Sequence, residues 1–375
     1  MRFCMKDIII LGAGRVGSLV SCLLVESGDY IVHLLDKHIP DDKPVLERNI
    51  DNLKYVELDV TKTTELQKYV KQHNAKSIVS CLPFFLNKSI AKLAGELGLN
   101  YFDLTEDVEA TDYIKSIAEN SKNNFFAPQC GLAPGFISIV SNNLMQEFDS
   151  IDTVRMRVGA LPLNVSNTLQ YALTWSTEGL INEYAKPCEG IVDGEKRTLA
   201  PLADIEEIKI NGLTYEAFNT SGGIGSMIDT YAGKVKNINY KTIRYPGHCE
   251  KMKFLMQDMK LGEDLETMVK IMERALPRIN QDVVLIYVSV DGVRKGLKAE
   301  RHFAQKYPSK VMFGKYFSAL QLTTATSLCV SIDLLLNAKE QPRGFINQES
   351  ICLKDFYNNR FGQYYKKSGL LIQAD

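Results

Sequence analysis

Short continuous apolar runs alternate with amphipathic stretches through the first third of the chain. Ile8-Ile9-Ile10-Leu11 and Ile31-Val32-His33-Leu34-Leu35 have the pattern of strands buried on both faces of a parallel sheet. Between them Val16, Leu19, Val20, Leu23 and Leu24 recur at helical spacing, which predicts an amphipathic helix. Leu53 to Leu58 then predicts a strand ending at Asp59, Thr64 to Gln72 a helix, Ser77 to Ser80 a strand and Asn87 to Leu97 a helix. Two further strand ends are expected at Tyr101 to Thr105 and at Asn124 to Ala127. Six strands separated by helices predict a doubly wound parallel sheet.

Pro134-Gly135 opens a helix with Ile137, Val140, Leu144 and Phe148 on one face. From Thr153 the pattern changes to alternation, in residues 154–159, 206–210, 214–218 and 282–290, which predicts strands of one mixed or antiparallel sheet. Ala319 to Asn337 reads as a long helix. From Pro342 a short strand and a terminal helix are expected to fold back on the first domain.

The first apolar run passes into Gly12-Ala13-Gly14-Arg15-Val16-Gly17, and the second stops on Asp36. Strand, glycine turn, helix, strand and acid in this order predict a dinucleotide site, with the pyrophosphate at the helix N-terminus and Asp36 on the ribose hydroxyls. A carboxylate there repels the 2′-phosphate of NADP, so NAD is preferred, while Lys37 and His38 keep NADP open. Asp59 stands where an adenine amino group could be held, or else caps a helix. Ser80-Cys81-Leu82-Pro83 ends a strand on the side that faces the ligand crevice. There the backbone of Leu82 and Pro83 is expected to line the cofactor and Cys81 to pack.

Composition removes other classes of function. The 375 residues carry a net charge of −1 with no clustered basic face, which argues against nucleic acid as a partner. No apolar stretch approaches the ~18 residues of a membrane span. Met1 to Lys6 leads directly into the first strand with no signal-peptide core, and Met5 is an alternative start. Eight cysteines without a C-x-x-C pair signal no metal site, and reduced thiols in a cytoplasmic protein are expected. Gly17 is followed by Ser18, which excludes a P-loop, and Tyr-x-x-x-Lys, G-x-S-x-G and H-E-x-x-H are all missing from the sequence.

Residues 80–83, 101–105, 131–135 and 243–248, with 172–176 and 181–184 between them, together resemble the saccharopine dehydrogenase family, including shorter relatives similar to lysine 6-dehydrogenase. The resemblance implies a Rossmann domain of residues 1–130 completed by 338–375, and an inserted α+β substrate-binding and dimerisation domain of 131–337. It also implies a homodimer and NAD(P)-linked oxidation, through an imine, of an amine carbon of lysine or a lysine-derived amino acid. The chain length and Arg244-Tyr245-Pro246-Gly247-His248 look more like the lysine enzymes, which use NAD.

Such a reaction needs a group that deprotonates the amine and one that anchors the carboxylate. Asp103, at a strand's carboxyl end, is the first candidate base; its alternative is a cap on the Thr105-Glu106-Asp107 turn. The resemblance places a functional cysteine at Cys130, which could equally be a small buried hydrophobe. Arg244 suits the substrate carboxylate, with a surface arginine as the alternative. His248 could relay a proton or be structural. Trp175, the single tryptophan, walls the substrate pocket or packs the core. Two other readings stand beside this one: a carboxyspermidine-type reductase joining aldehyde and diamine, and a non-enzymatic NAD-binding sensor.

Overall fold

A computed structural model describes residues 5–73, 75–164 and 166–372, so the reading of Met1 to Cys4 lies outside the described residues. The first 130 residues form the strands that the apolar pattern predicts, with helices after most of them, α4 being one that the pattern did not single out: β1 (Lys6–Leu11), α1 (Arg15–Glu26), β2 (Tyr30–Asp36), β3 (Leu53–Glu57), α2 (Thr63–Gln72), β4 (Ser77–Ser80), α3 (Phe84–Leu97), β5 (Asn100–Asp103), α4 (Val108–Glu119) and β6 (Phe125–Ala127). All pair in parallel, in the order β6-β5-β4-β1-β2-β3. The order reverses between β1 and β4, and the crevice above that switch point is where open α/β sheets bind ligands. Ile8, Ile9, Ile10 and Leu11 are fully buried because helices cover both faces of the sheet.

After α5 (Phe136–Met145) the chain enters a larger mixed sheet. Its elements are β7 (Ser150–Pro162), α6 (Thr177–Ala185), β8 (Cys188–Val192), β9 (Glu195–Leu199), β10 (Glu206–Ile210), β11 (Leu213–Asn219), α7 (Met227–Tyr231), β12 (Asn237–Arg244), α8 (His248–Lys253), α9 (Leu265–Ala275), β13 (Asp282–Arg294) and β14 (Leu297–Pro308). The order is β10-β11-β12-β7-β13-β14, with β8 and β9 as a hairpin beside β12. Among the described residues of this sheet only β12 and β7 run parallel; the other pairings are antiparallel. The alternating pattern predicted β7, β10, β11 and β13. The strands β8, β9, β12 and β14 were not anticipated, because their charged and amide residues hide the alternation.

The remaining elements are β15 (Lys310–Met312), β16 (Lys315–Phe317), α10 (Ala319–Leu336), β17 (Gly344–Phe345), α11 (Leu353–Asn358), α12 (Gln363–Ser368) and β18 (Leu370–Leu371). α10 is capped twice: Ser318 and Gln321 form a capping box, and the buried Asp282 carboxylate accepts from the amides of Ala319 (2.5 Å) and Leu320 (3.2 Å). Contrary to the expectation that no apolar stretch reaches the length of a membrane span, it is long and apolar enough to cross one, but most of it is buried inside the protein against α1 and β13. The expected return of the terminus to the first domain is half right. β17 adds a seventh parallel strand beside β6, whereas β18 pairs with β14 and α12 packs on that same strand. Phe356 and Tyr365 are apolar enough to be drawn onto Phe136 of α5, with ring centroids 4.9 and 4.0 Å away.

Candidate active site

At the end of β1 the chain turns through Gly12 at φ +100°, where a Cβ would lie 2.8 Å from the carbonyl oxygen of Cys81. A Cβ on Gly17 would stand 1.9 Å from the Gly12 carbonyl oxygen, so any side chain there would force α1 off β1. Gly14 is different: a Cβ there meets no atom within 4 Å, and the residue lines a cavity of about 430 Å³. Two glycines that let backbones touch, and one that opens onto space at a helix N-terminus, fit a dinucleotide pyrophosphate. The Asp36 carboxylate accepts from the amides of Ala13 (2.6 Å) and His38 (3.1 Å), which ties it to this loop and leaves further lone pairs for ribose hydroxyls.

Other residues expected at the cofactor are sorted by the structure. Val16, Cys81, Leu82 and Pro83 line the cavity. Ser80 is turned away, its Oγ donating to the buried Asn87 Oδ1 at 2.6 Å. The Asp59 carboxylate accepts from the amide (3.0 Å) and hydroxyl (2.6 Å) of Thr61 and so caps the turn before α2. Arg15 lines the cavity while its guanidinium donates to the carbonyls of Thr174 (3.1 Å) and Ile279 (2.9 Å), clamping the glycine loop to the second sheet's side of the crevice.

The opposite wall comes from β12 and β7. The two-residue period of a strand puts Tyr240, Thr242 and Arg244 on one face of β12, next to Val158 and Ala160 of β7. Arg244 is buried rather than superficial. Its Nε donates to the Tyr184 hydroxyl (2.9 Å), its Nη1 to the Ile243 carbonyl (2.9 Å), and its guanidinium lies 5.2 Å from the centre of the Tyr171 ring. Among the described residues nothing accepts from its Nη2, which leaves a donor for a ligand on a cationic group bordering the cavity. Trp175 lines the cavity as well, close enough to α6 that a Cβ on Gly179 would lie 2.6 Å from its ring.

Three expected catalytic groups do not reach the cavity. His248 is fully buried, its Nδ1 2.8 Å from the Leu169 carbonyl and its Nε2 3.1 Å from the Tyr184 hydroxyl. Only a protonated Nδ1 can bond to a carbonyl, so Nε2 accepts from Tyr184, whose oxygen in turn accepts from Arg244. Burial, with Arg244 nearby, holds the imidazole down at about 3, so the ring is neutral and props Tyr184. Cys130 is buried in the core, with Sγ 3.0 Å from the Ala127 carbonyl and accepting from Gln348 Nε2 at 3.2 Å; burial pushes its thiol up. It therefore behaves as a small hydrophobe. Asp103 is fully buried and accepts from the amides of Thr105 (3.0 Å) and Gln129 (2.9 Å) and from the Tyr101 hydroxyl (2.8 Å). Burial raises it to about 6, but its oxygens are committed to holding the loops around it.

Among the described residues the carboxyls that line the cavity are Glu106, Glu178, Glu183 and Glu273, none of them singled out from sequence; Glu178 accepts from the Ser176 hydroxyl (2.9 Å), and Glu273 from the Thr177 hydroxyl (3.2 Å) and from Arg278. Burial raises Glu183 to about 8 against the pull of Arg244, and raises Glu106 to about 7 with Asp107 and Asp103 nearby. Glu183 left one signal: it interrupts a stretch of α6 in which Leu180, Ile181 and Tyr184 are all buried. Glu106 left none, since Thr105-Glu106-Asp107 reads as an ordinary helix start.

A complete dinucleotide fold whose glycine loop opens onto a cavity walled by a second mixed sheet defines a two-domain NAD(P)-binding oxidoreductase fold. Residues 8–128 match the saccharopine dehydrogenase NADP binding domain, and residues 131–369 the saccharopine dehydrogenase C-terminal domain. The chain belongs to the saccharopine dehydrogenase family. The fold is similar to apo saccharopine dehydrogenase (L-Glu forming) from Saccharomyces cerevisiae, with 14% identity, 99% of each chain covered and a TM-score of 0.72. It is also similar to homospermidine synthase from Legionella pneumophila in complex with NAD, with 13% identity, 99% of this chain and 91% of that one covered, and a TM-score of 0.65.

Proposed function

We propose that the protein is an NAD(P)-dependent dehydrogenase that oxidises a CH–NH carbon of lysine or a lysine-derived amino acid, with NAD preferred. One observation carries this reading: the buried Arg244, oriented by Tyr184, borders the same cavity as Gly14. A guanidinium held in this way binds a carboxylate, and sharing a cavity with Gly14 would bring the rest of an amino acid to a bound dinucleotide. Gly12, Gly14 and Gly17 would hold the dinucleotide, which supplies the hydride acceptor when bound. Asp36 beside the loop supports NAD by its charge.

Photometry at 340 nm with saccharopine, lysine and related amines, each with NAD and with NADP, tests the reading. Reduction of NAD by at least one amino-acid substrate is expected. No reduction of either dinucleotide, and no reverse reaction from aldehyde plus amine, would overturn it.

A second reading draws on two of the cavity carboxyls: Glu106 and Glu183 also suit a cationic diamine, as in a reductase that joins an aldehyde to an amine. Arg244→Ala separates the two. It raises KM for an amino-acid substrate and leaves KM for a diamine without a carboxylate unchanged.

A further inference from the structure

Glu106 lies in the loop after β5, at the carboxyl end of the cofactor sheet, yet its surroundings come from the other domain. A Cβ on Gly222 would lie 2.1 Å from the Glu106 carbonyl oxygen, and one on Gly179 would lie 2.9 Å from Glu106 Oε1. Gly222 also adopts φ +87°, which side chains rarely take. The substrate side is thus hollowed by two glycines where this residue enters. The cavity it lines is also lined by Gly14 and Arg244. Among the described residues no donor from another residue bonds its carboxyl and no cation pairs with it. Asp103, three positions earlier, has three donors. Its own backbone amide is the one donor it has, so most of its acceptor capacity is left for a ligand, and carboxyls kept in this way cluster at functional sites. The raised value of about 7 puts its proton exchange near working pH.

We infer that Glu106 is the general acid–base group of the C–N reaction, taking the proton from the substrate ammonium and returning one to the departing amine. This rests on the function proposed above. In the oxidative direction an N–H bond of the ammonium breaks and its proton passes to a Glu106 oxygen. The freed lone pair forms the C=N bond as the carbon gives up its hydride, so the carbon is oxidised and the nicotinamide reduced. Water adds to that carbon, its oxygen becomes the carbonyl oxygen, and both its protons go to solvent. The C–N bond breaks with its electron pair on nitrogen, which has received the proton held by Glu106.

The test uses the full-length protein and the best substrate of the 340 nm screen. Glu106→Gln is expected to lower kcat by about 100-fold or more and to abolish the near-neutral limb of the kcat pH profile. KM, dinucleotide affinity and melting temperature should stay near wild type. Glu106→Asp should recover part of kcat and keep that limb. If the Gln variant does not fold, the Asp variant decides, with kcat lowered about tenfold and the limb displaced. A folded Gln variant with kcat within about threefold of wild type, or an Asp variant with unaltered kcat and pH limb, overturns the proposal alone. Wild-type protein without turnover on any substrate overturns the functional reading and this proposal with it.

Discussion

The two ends of the cavity are built in opposite ways. At the dinucleotide end the six residues Gly12 to Gly17, a turn and the first helical residues, supply the contacts: Gly12 and Gly17 answer to atoms of the same strand-turn-helix unit or of Cys81 just after β4, and Gly14 faces open space. At the other end Glu106, Trp175, Glu183 and Arg244 come from three helix or strand ends and two domains. The first end is local geometry, and the second exists only when the whole chain is folded. A substitution at the first should act on backbone contact or cofactor affinity, and one at the second on substrate handling.

Gly17→Val should break the local end most severely, because its side chain meets the Gly12 carbonyl with no room to yield. A loss of more than about 4 kcal/mol of stability is expected, measured by denaturant unfolding. Gly14→Val at the same loop should melt like wild type and lose dinucleotide affinity by about 100-fold in calorimetry, since only open space is filled. Equal melting losses for the two would erase the distinction drawn between them.

Arg244→Ala should lower kcat/KM for a carboxylate-bearing substrate by about 10²–10³, while NAD affinity is kept. His248→Gln should have a smaller effect of about tenfold in KM, with kcat little changed, because it loosens only Tyr184 behind the arginine. A kcat loss without a KM change would mean that His248 touches the reaction itself.

Glu183 gives a stability test with a definite sign. Its carboxyl is raised in the fold from the ordinary 4.5 to about 8, so the unfolded chain releases the proton first as pH rises. Between about pH 4.5 and 8 the wild type should therefore lose stability relative to Glu183→Gln, with no difference below that window. Melting temperatures across pH 4–9 check this, and a gap that widens towards acid would refute it. Cys130→Ala should do least, keeping kcat within about threefold and lowering stability by about 1 kcal/mol.

How much could be read from residues alone follows the same division. The parallel sheet was legible because Ile8 to Leu11 and Ile31 to Leu35 are short apolar runs, and the dinucleotide loop because Gly12, Gly14 and Gly17 fall within six residues directly after the first of them. Arg244 stood out through the fit of a guanidinium to a carboxylate and the Arg-Tyr-Pro-Gly-His stretch it opens, although the Pro-Gly turn after it also suited a surface arginine and its burial was not legible. Asp103 and Cys130 misled because position at a strand end says nothing about which side chain turns inward. Tyr101, Thr105 and Gln129 occupy one of them, and Gln348, more than 200 residues away, bonds the other. Glu106 was invisible since its meaning depends on Gly179 and Gly222, which lie in another domain.

The short strand Gly344–Phe345 carries a consequence for synthesis on the ribosome. It closes the cofactor sheet against Phe125 and Phe126, so that sheet stays one strand short until about 200 further residues have been made. A nascent chain released from the tunnel at the length of the second sheet's last long strand, β14, would display an open parallel edge at β6. Chaperone contact during translation should concentrate on that edge and disappear once residue 345 emerges.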